Sequence, residues 1–359
     1  MTTNQTLIRN LSYPVIDGIR FYAAFIVFVE HILSGIVLEY FKVPASEFGY
    51  SSNSQSLSFL YYLADGNHGV DIFFIISGFL MARIISKESF SYQSFISARF
   101  KRIYPAFLAS LVITAAIVIN VFGWPWKPID FAYNMIFLNA FPQFGVMPYN
   151  HVSWSLGYEF AFYFVIPVLA LFSRVIPSWV AASILMLSAA LLIPDSLIRF
   201  NALFAGALIG TLSESTLKSV AAKLPMAIVL PAFIGCGVLK AVMQLPYLTY
   251  YWLFIPCASL LFIRLVWGPS LLGNILSMPA FRKLGTLSYS IYLYHSVIGS
   301  LVLYKLTPWP ASIGGAVLCF ITTFVLTLIA SYLSYQIFEK WYFRSSTKGR
   351  KLDPVKTNS

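Results

Sequence analysis

The sequence predicts an all-α integral membrane protein: a bundle of about ten transmembrane helices with the N- and C-termini in the cytoplasm. Composition, the length of the apolar runs and the placing of basic residues predict it. Of 359 residues, 58% are hydrophobic and only 10% charged, and the mean hydropathy is +0.76. A soluble domain carries about 25% charged residues. The polar surface here is too small to cover a water-exposed body of this size. Apolar residues run on at 156–172, 179–193, 227–239, 248–265 and 311–333. A helix crossing the hydrocarbon needs roughly 20 such residues. A membrane β-barrel would instead alternate over segments of roughly ten residues.

The pattern places spans at 15–38, 69–86, 103–122, 155–173, 177–194, 197–213, 225–241, 247–266, 285–305 and 312–336. The sixth is short and rich in Ala and Gly. The stretch from Phe131 to Phe141 is too short to span, contains Asn134 and Asn139, and reads as a re-entrant or interfacial piece. Loop charges orient the whole. One side collects Arg9, Arg83, Lys87, Arg99, Lys101, Arg102, Arg174, Lys218, Lys223, Arg264, Arg282, Lys283 and the basic tail. The other holds only Lys42, Lys127, Arg199, Lys240 and Lys305. Basic residues concentrate on the cytoplasmic side of membrane proteins. Dropping the sixth span would invert every later loop and ruin the bias.

Residues 1–343 then form one transmembrane domain, and 344–359 a basic, disordered cytoplasmic tail. Basic loops facing anionic lipid account for the net charge of +11 without nucleic acid. Glu30 and His31 interrupt the first apolar run, and no small-residue cleavage site follows, so it is not a cleavable signal peptide. Cys236, Cys257 and Cys319 lie inside spans without metal-ligand spacing, which argues against a metal site or disulfide framework. No internal repeat or nucleotide-binding glycine loop is present.

Ionisable residues inside a bilayer are costly and mark function by default. In the first span, Asp17 and Arg20 precede His31. Eleven residues at 100° each end about 20° past three full turns, so Arg20 and His31 share a face, roughly 16 Å apart along the axis. Arg20 falls near the cytoplasmic end, where it either snorkels and pairs with Asp17 or serves a site. His31 falls in the outer half, where a neutral histidine is a reasonable base, or is held by a neighbouring helix. The second span opens with His68-Gly69-Val70-Asp71 and continues to Ser77-Gly78, small residues that permit close helix contact. Asp71 is expected to be buried against a partner that the sequence does not name. Arg99-Phe100-Lys101-Arg102 reads as a cytoplasmic loop, serving topology alone or binding phosphate at a helix entrance. Pro105 suits the first turn of the third span. Glu159, on the fourth span behind Trp154-Ser155-Leu156, is expected at the depth of His31, without a charge partner in its own span. His295 lies near mid-membrane in the ninth span, after a run of hydroxyls that includes Ser288, Tyr289 and Ser290. For His295 alone, packing and function weigh equally.

Together these residues resemble the acyltransferase-3 family of bacterial membrane O-acyltransferases. The ten residues between Arg20 and His31, the Gly69-Val70-Asp71-Ile72-Phe73-Phe74 run through Ser77-Gly78-Phe79-Leu80, the basic segment from Arg99 to Pro105, Trp154-Ser155-Leu156 with Glu159, and Ser288 to His295 are similar to its ordered motifs. The fourth-span motif of the family commonly has paired acids. Here Phe160 follows Glu159, a form that resembles exopolysaccharide-modifying members. The chain stops soon after its last span, without the appended esterase-like domain of some members.

The resemblance implies transfer of an acyl group, usually acetyl, from cytoplasmic acyl-CoA to a hydroxyl of exopolysaccharide, O-antigen or another saccharide. The acceptor is free or lipid-linked, and the protein lies in the bacterial inner membrane among its lipids. Acyl-CoA is then a co-substrate, with no permanently bound cofactor and no metal. Arg20, Arg99, Lys101 and Arg102 would bind its phosphates. His31 would be the base, with Glu159 orienting it or binding the sugar, and Asp17, Asp71, Ser155, Tyr289 and His295 would support the site. Two other classes stay open: a transporter or flippase of a glycan intermediate, and a non-catalytic partner of a polysaccharide export complex.

Overall fold

The computed structural model describes residues 13–49, 55–87, 90–192, 197–243, 245–305 and 311–342. The proposed tail at 344–359 and Arg9 lie outside the described residues. Among the described residues the chain forms helices and turns and no strand. In chain order these are α1 (Pro14–Gly35, extended by a π-helical turn at Ile36–Tyr40), α2 (Gln55–Ala64), α3 (His68–Ile85), α4 (Tyr92–Asn120) and α5 (Pro128–Met135). Then come α6 (Trp154–Phe172, led in by a 3-10 turn at His151–Ser153), α7 (Ser178–Leu192), α8 (Phe200–Thr211), α9 (Glu214–Lys223) and α10 (Met226–Met243). The last are α11 (Tyr247–Trp267), α12 (Leu271–Leu276), α13 (Pro279–Lys305) and α14 (Ile313–Ser334, extended by a π-helical turn at Tyr335–Glu339).

Every predicted span falls on a helix, and the helices differ in how well their length and composition suit a membrane crossing. Among the described residues, seven helices are long and apolar enough to cross a membrane: α1, α3, α4, α6, α10, α11 and α14. α7 has 15 residues and α8 has 12. At 1.5 Å per residue α8 reaches roughly 18 Å, short of a hydrocarbon core about 30 Å thick, and the described part of α7 roughly 22 Å, with residues 193–196 beyond it outside the described residues. α13 is long, but it carries Arg282, Lys283 and the polar run that ends at His295.

The basic segment is not a loop. Ser91 caps α4, its hydroxyl accepting from Ser94 N at 3.4 Å, and the helix begins at Tyr92. Arg99, Lys101 and Arg102 therefore sit on helical turns, because Ser-Ala-Arg-Phe-Lys-Arg continues a helix as readily as it ends one. Pro105 lies inside α4 rather than in its first turn. It leaves the carbonyl four residues back without its helical donor. The segment from Phe131 to Phe141 does not form one continuous helix. It consists of the end of α5 and short turns, fixed by Asn134, whose side chain donates to Asp130 O and Met147 O at 2.8 Å each. The Phe137 ring lies 4.4 Å from those of Phe107 on α4 and Phe160 on α6.

Small residues set the closest helix contacts. A Cβ added at Gly78 would lie 2.0 Å from the carbonyl oxygen of Leu203, and one at Gly206 would lie 2.0 Å from that of Ile75. α3 and α8 therefore touch backbone to backbone, running in the same direction. α1 and α13 also run side by side in one direction, with Gly285 against Asp17 and Gly299 against Ile32. α3 opposes α1: Gly69 meets Ala23, while Phe79 stacks edge-on to Tyr13 at 5.7 Å. One carboxylate fastens an end of this arrangement. Glu214, at the start of α9, accepts from Arg83 at 3.0 Å, from Trp267 Nε1 at 2.6 Å and from the Tyr13 hydroxyl.

Candidate active site

α1, α3, α4, α6, α13 and the last turn of α14 enclose a cavity of about 190 Å³ around Arg20. Asp17, Arg20, Ser77, Arg99, Arg102, Ser155, Glu159, Tyr289, Tyr292 and Glu339 supply its polar lining. Arg20, Arg99 and Arg102 face three carboxylates there, Asp17, Glu159 and Glu339. The formal charges cancel, so the cavity is not a plain anion well. An anionic guest has to meet the arginines in competition with these acids. Arg20 makes no ion pair among the described residues, so the Asp17 pairing that would fix only the helix is not formed. Lys101 is exposed and does not line the cavity.

Glu159 belongs to this cavity, not to the depth of His31. The turn at His151 stands beside His31, with rings 6.3 Å apart. Glu159 follows eight residues later, roughly 12 Å further along the helix. Its carboxylate accepts from Ser77 Oγ at 3.0 Å and from the Tyr163 hydroxyl at 2.7 Å. Glu159 therefore does not orient His31. Gly78 is the packing residue that its size implied, whereas its neighbour Ser77 lines the cavity.

Glu339 carries no sequence motif, yet it is buried and lines the cavity. Ser290 donates to it at 2.6 Å. The π-helical turn at Tyr335–Glu339 brings it there; such turns recur at functional sites. Tyr289 fastens α13 to α4 through its hydroxyl, which donates to Ile103 O at 2.9 Å. Ser155 donates to Val152 O at 3.4 Å within its own helix entrance.

Beyond the cavity lies a pair of histidines. His31 Nδ1 and His295 Nε2 are 2.9 Å apart. His295 is fully buried, and its Nδ1 stands 2.8 Å from Tyr292 O and 3.2 Å from Ile291 O. Tyr292 belongs to both places: it lines the cavity, and its ring lies 5.8 Å from that of His295. His31 does not line the cavity. The space thus stops one aromatic ring short of the pair. Among the described residues no group of three or more His, Cys, Asp or Glu is arranged to hold a metal ion.

Asp71 lies apart from both, and its partner is Arg199. Arg199 Nη1 is 3.7 Å from Asp71 Oδ1, to which the Tyr251 hydroxyl donates at 3.4 Å. Arg199 also donates to Asn67 Oδ1 at 3.1 Å and covers the Trp154 ring at 5.0 Å. Asn67 donates to Glu30 at 2.6 Å, and Lys240 pairs with Asp65 at 2.7 Å. Arg199 and Lys240 are therefore largely buried network members, not residues of open outer loops.

A family model described as an acyltransferase domain matches residues 13–335. The chain is 25% identical over 313 residues to BcsY of Komagataeibacter xylinus, named as a membrane-bound transacylase, covering 78% of this chain and 77% of that one. It is 24% identical over 326 residues to the O-acetyltransferase OatA of Staphylococcus aureus, covering 79% of this chain and 50% of that one. The acyltransferase MdmB of Streptomyces mycarofaciens is 27% identical over 187 residues, 49% of this chain and 45% of that one. The chain thus spans about half the length of OatA, and the match to MdmB covers about half of that protein. No solved structure matches.

Proposed function

This chain belongs to the acyltransferase-3 family of multi-pass membrane acyltransferases, and from that premise we propose that it moves an acyl group, usually acetyl, from acyl-CoA to a hydroxyl of a cell-surface saccharide. The observation that carries the reading is the cavity, where Arg20, Arg99 and Arg102 line a space that ends one ring from the histidine pair. Arginines suit phosphate oxygens because their planar donors match them. The thin arm of the donor then runs from the arginines towards His31, a rise of roughly 16 Å along α1. Tyr292 and Phe73, whose rings are 6.0 Å apart, stand where it has to pass.

In this reaction His31 takes the proton of the acceptor hydroxyl as its oxygen forms the new C–O bond with the thioester carbon. The C–S bond breaks, and the proton passes from His31 to the departing thiolate, giving free CoA and the ester. General-base help of this kind contributes about 10²–10⁴ in rate. Glu159 acts on the donor side, through its hydrogen bonds to Ser77 and Tyr163 and its charge beside the arginines. The concentration of basic residues at one end of the spans supports a cytoplasmic position for the Arg20 end of α1, and the reading takes the membrane to be the bacterial inner membrane, on whose cytoplasmic side acyl-CoA resides.

The test compares surface glycans by mass spectrometry from cells with and without the gene, alongside purified protein in liposomes given labelled acetyl-CoA. An ester-sized mass difference with release of CoA supports the reading and names the acceptor. Unchanged glycans and no turnover of acetyl-CoA would overturn it. Passage of a glycan intermediate without acylation would point to a transporter.

A further inference from the structure

We propose that His295 sets the tautomer of His31, holding its Nδ1 proton so that Nε2 carries the free lone pair. The inference deepens the base role given to His31 and rests on it. It begins with two backbone carbonyls. Oxygen atoms of carbonyl groups only accept hydrogen bonds. The Nδ1 of His295 lies 2.8 Å from Tyr292 O and 3.2 Å from Ile291 O. That nitrogen therefore carries hydrogen. In a neutral imidazole the other nitrogen is then an acceptor. The acceptor, Nε2, faces His31 Nδ1 at 2.9 Å. His31 must donate across that contact, so its proton is on Nδ1 and its lone pair on Nε2.

The surroundings hold His295 still. It is fully buried, with the Phe28 ring 6.4 Å away on one side and the Tyr292 ring 5.8 Å away on another. Phe28 is itself fully buried against Phe320 and Phe324. A neutral histidine in this place differs from the carboxylate of a Ser-His-Asp triad. It fixes the tautomer and ring orientation, but it offers no full negative charge to the imidazolium that forms. Nor is it a proton relay. Its Nδ1–H is committed to the carbonyls, so a proton accepted at Nε2 would have no onward route through that ring. The proton taken by His31 stays on His31 until the leaving thiolate receives it. His295 is thus a positioning residue.

The test reads the tautomer directly. Full-length protein labelled with 15N-histidine is placed in bilayers, and the two nitrogens of His31 are resolved by solid-state NMR, with His31→Ala identifying the signals. The expected spectrum has a protonated Nδ1 and an unprotonated Nε2. His295→Leu is expected to mix the tautomers. His295→Gln keeps a carbonyl oxygen able to accept near the Nε2 position and is expected to preserve the spectrum. A protonated Nε2 in the unmodified protein overturns the proposal, as does an unchanged spectrum in His295→Leu. None of these readings depends on the identity of donor or acceptor.

Turnover supplies the second measurement. With labelled acetyl-CoA as the probe and membranes supplying the acceptor, His295→Leu is expected to lower kcat about a hundredfold at unchanged KM for acetyl-CoA. His295→Gln should recover to within about tenfold of the original kcat. In a His31→Ala background, His295→Leu should cost nothing more, since its effect passes through His31. A further loss there overturns the positioning role. Full turnover by His31→Ala alone would instead remove the base role, leaving the tautomer to be judged by the spectrum.

Discussion

Asp71 and Arg20 are both charged side chains held inside the bundle, and their surroundings differ in kind. Asp71 is closed in: Arg199 and Tyr251 meet it, and Asn67 extends the chain of contacts from Arg199 to Glu30. Arg20 opens on a cavity and makes no ion pair among the described residues. The cost of burying a charge is therefore a poor guide to what the charge does. A network that satisfies its own members holds helices together, whereas polar groups around an unfilled space remain available to a guest. The same distinction separates Gly78 from Ser77, one packed on a backbone and the other bonded to a cavity carboxylate.

Substitutions can break that contrast, and the largest effect belongs to His31. His31→Ala should lower acyl transfer by about 10²–10⁴ while leaving the melting temperature in detergent near the original. A large loss of thermal stability would show that the residue is structural, like Asp71. Next comes Asp71→Asn, which removes the carboxylate that pairs with Arg199 inside the bundle. It should destabilise the fold by about 3 kcal/mol, read as a lower melting temperature and less protein in the membrane. The KM for acetyl-CoA of the surviving fraction should be unchanged. Arg20→Ala should show the opposite pattern. It should weaken acetyl-CoA binding by roughly 10- to 100-fold, the worth of about 1.5–3 kcal/mol for a charged hydrogen bond, with little change in melting. Unchanged affinity would place Arg20 with the structural charges. The smallest effect is expected at Lys101→Ala, which removes an exposed charge outside the cavity and should alter donor KM by less than about twofold. A large rise there would extend the donor site across the exposed face of α4.

Much of this was legible in the chain because hydrophobicity acts locally. Each predicted span coincides with a helix, and the register of Arg20 and His31 follows from helical repeat alone. What the pattern missed depended on three dimensions or on the exact start of a helix. Residues 99–102 carry charges that suit a loop, yet the cap at Ser91 starts the helix before them. Glu159 was displaced from His31 because the helix entrance, not the glutamate, sits beside the histidine. Arg199 looked like a loop residue because it lies between apolar runs, and only the packing of α8 on α3 brings it to Asp71. Glu339 offered one faint signal, a lone acid in the aromatic stretch Tyr335-Gln336-Ile337-Phe338-Glu339 just past the last predicted span. Its place in the cavity depends on a π-helical turn that hydropathy does not report.

The two histidines are separated by 264 residues of chain. At the ribosome that interval takes roughly fifteen seconds to a minute, at ~5–20 residues per second. During it α1 has emerged and His31 lacks the nitrogen that its Nδ1 meets in the finished fold. Only when α13 settles beside α1, with Gly285 on Asp17, does the pair close. Under the base role proposed for His31, a product truncated before α13 would keep Arg20 while lacking the histidine that holds the base in position.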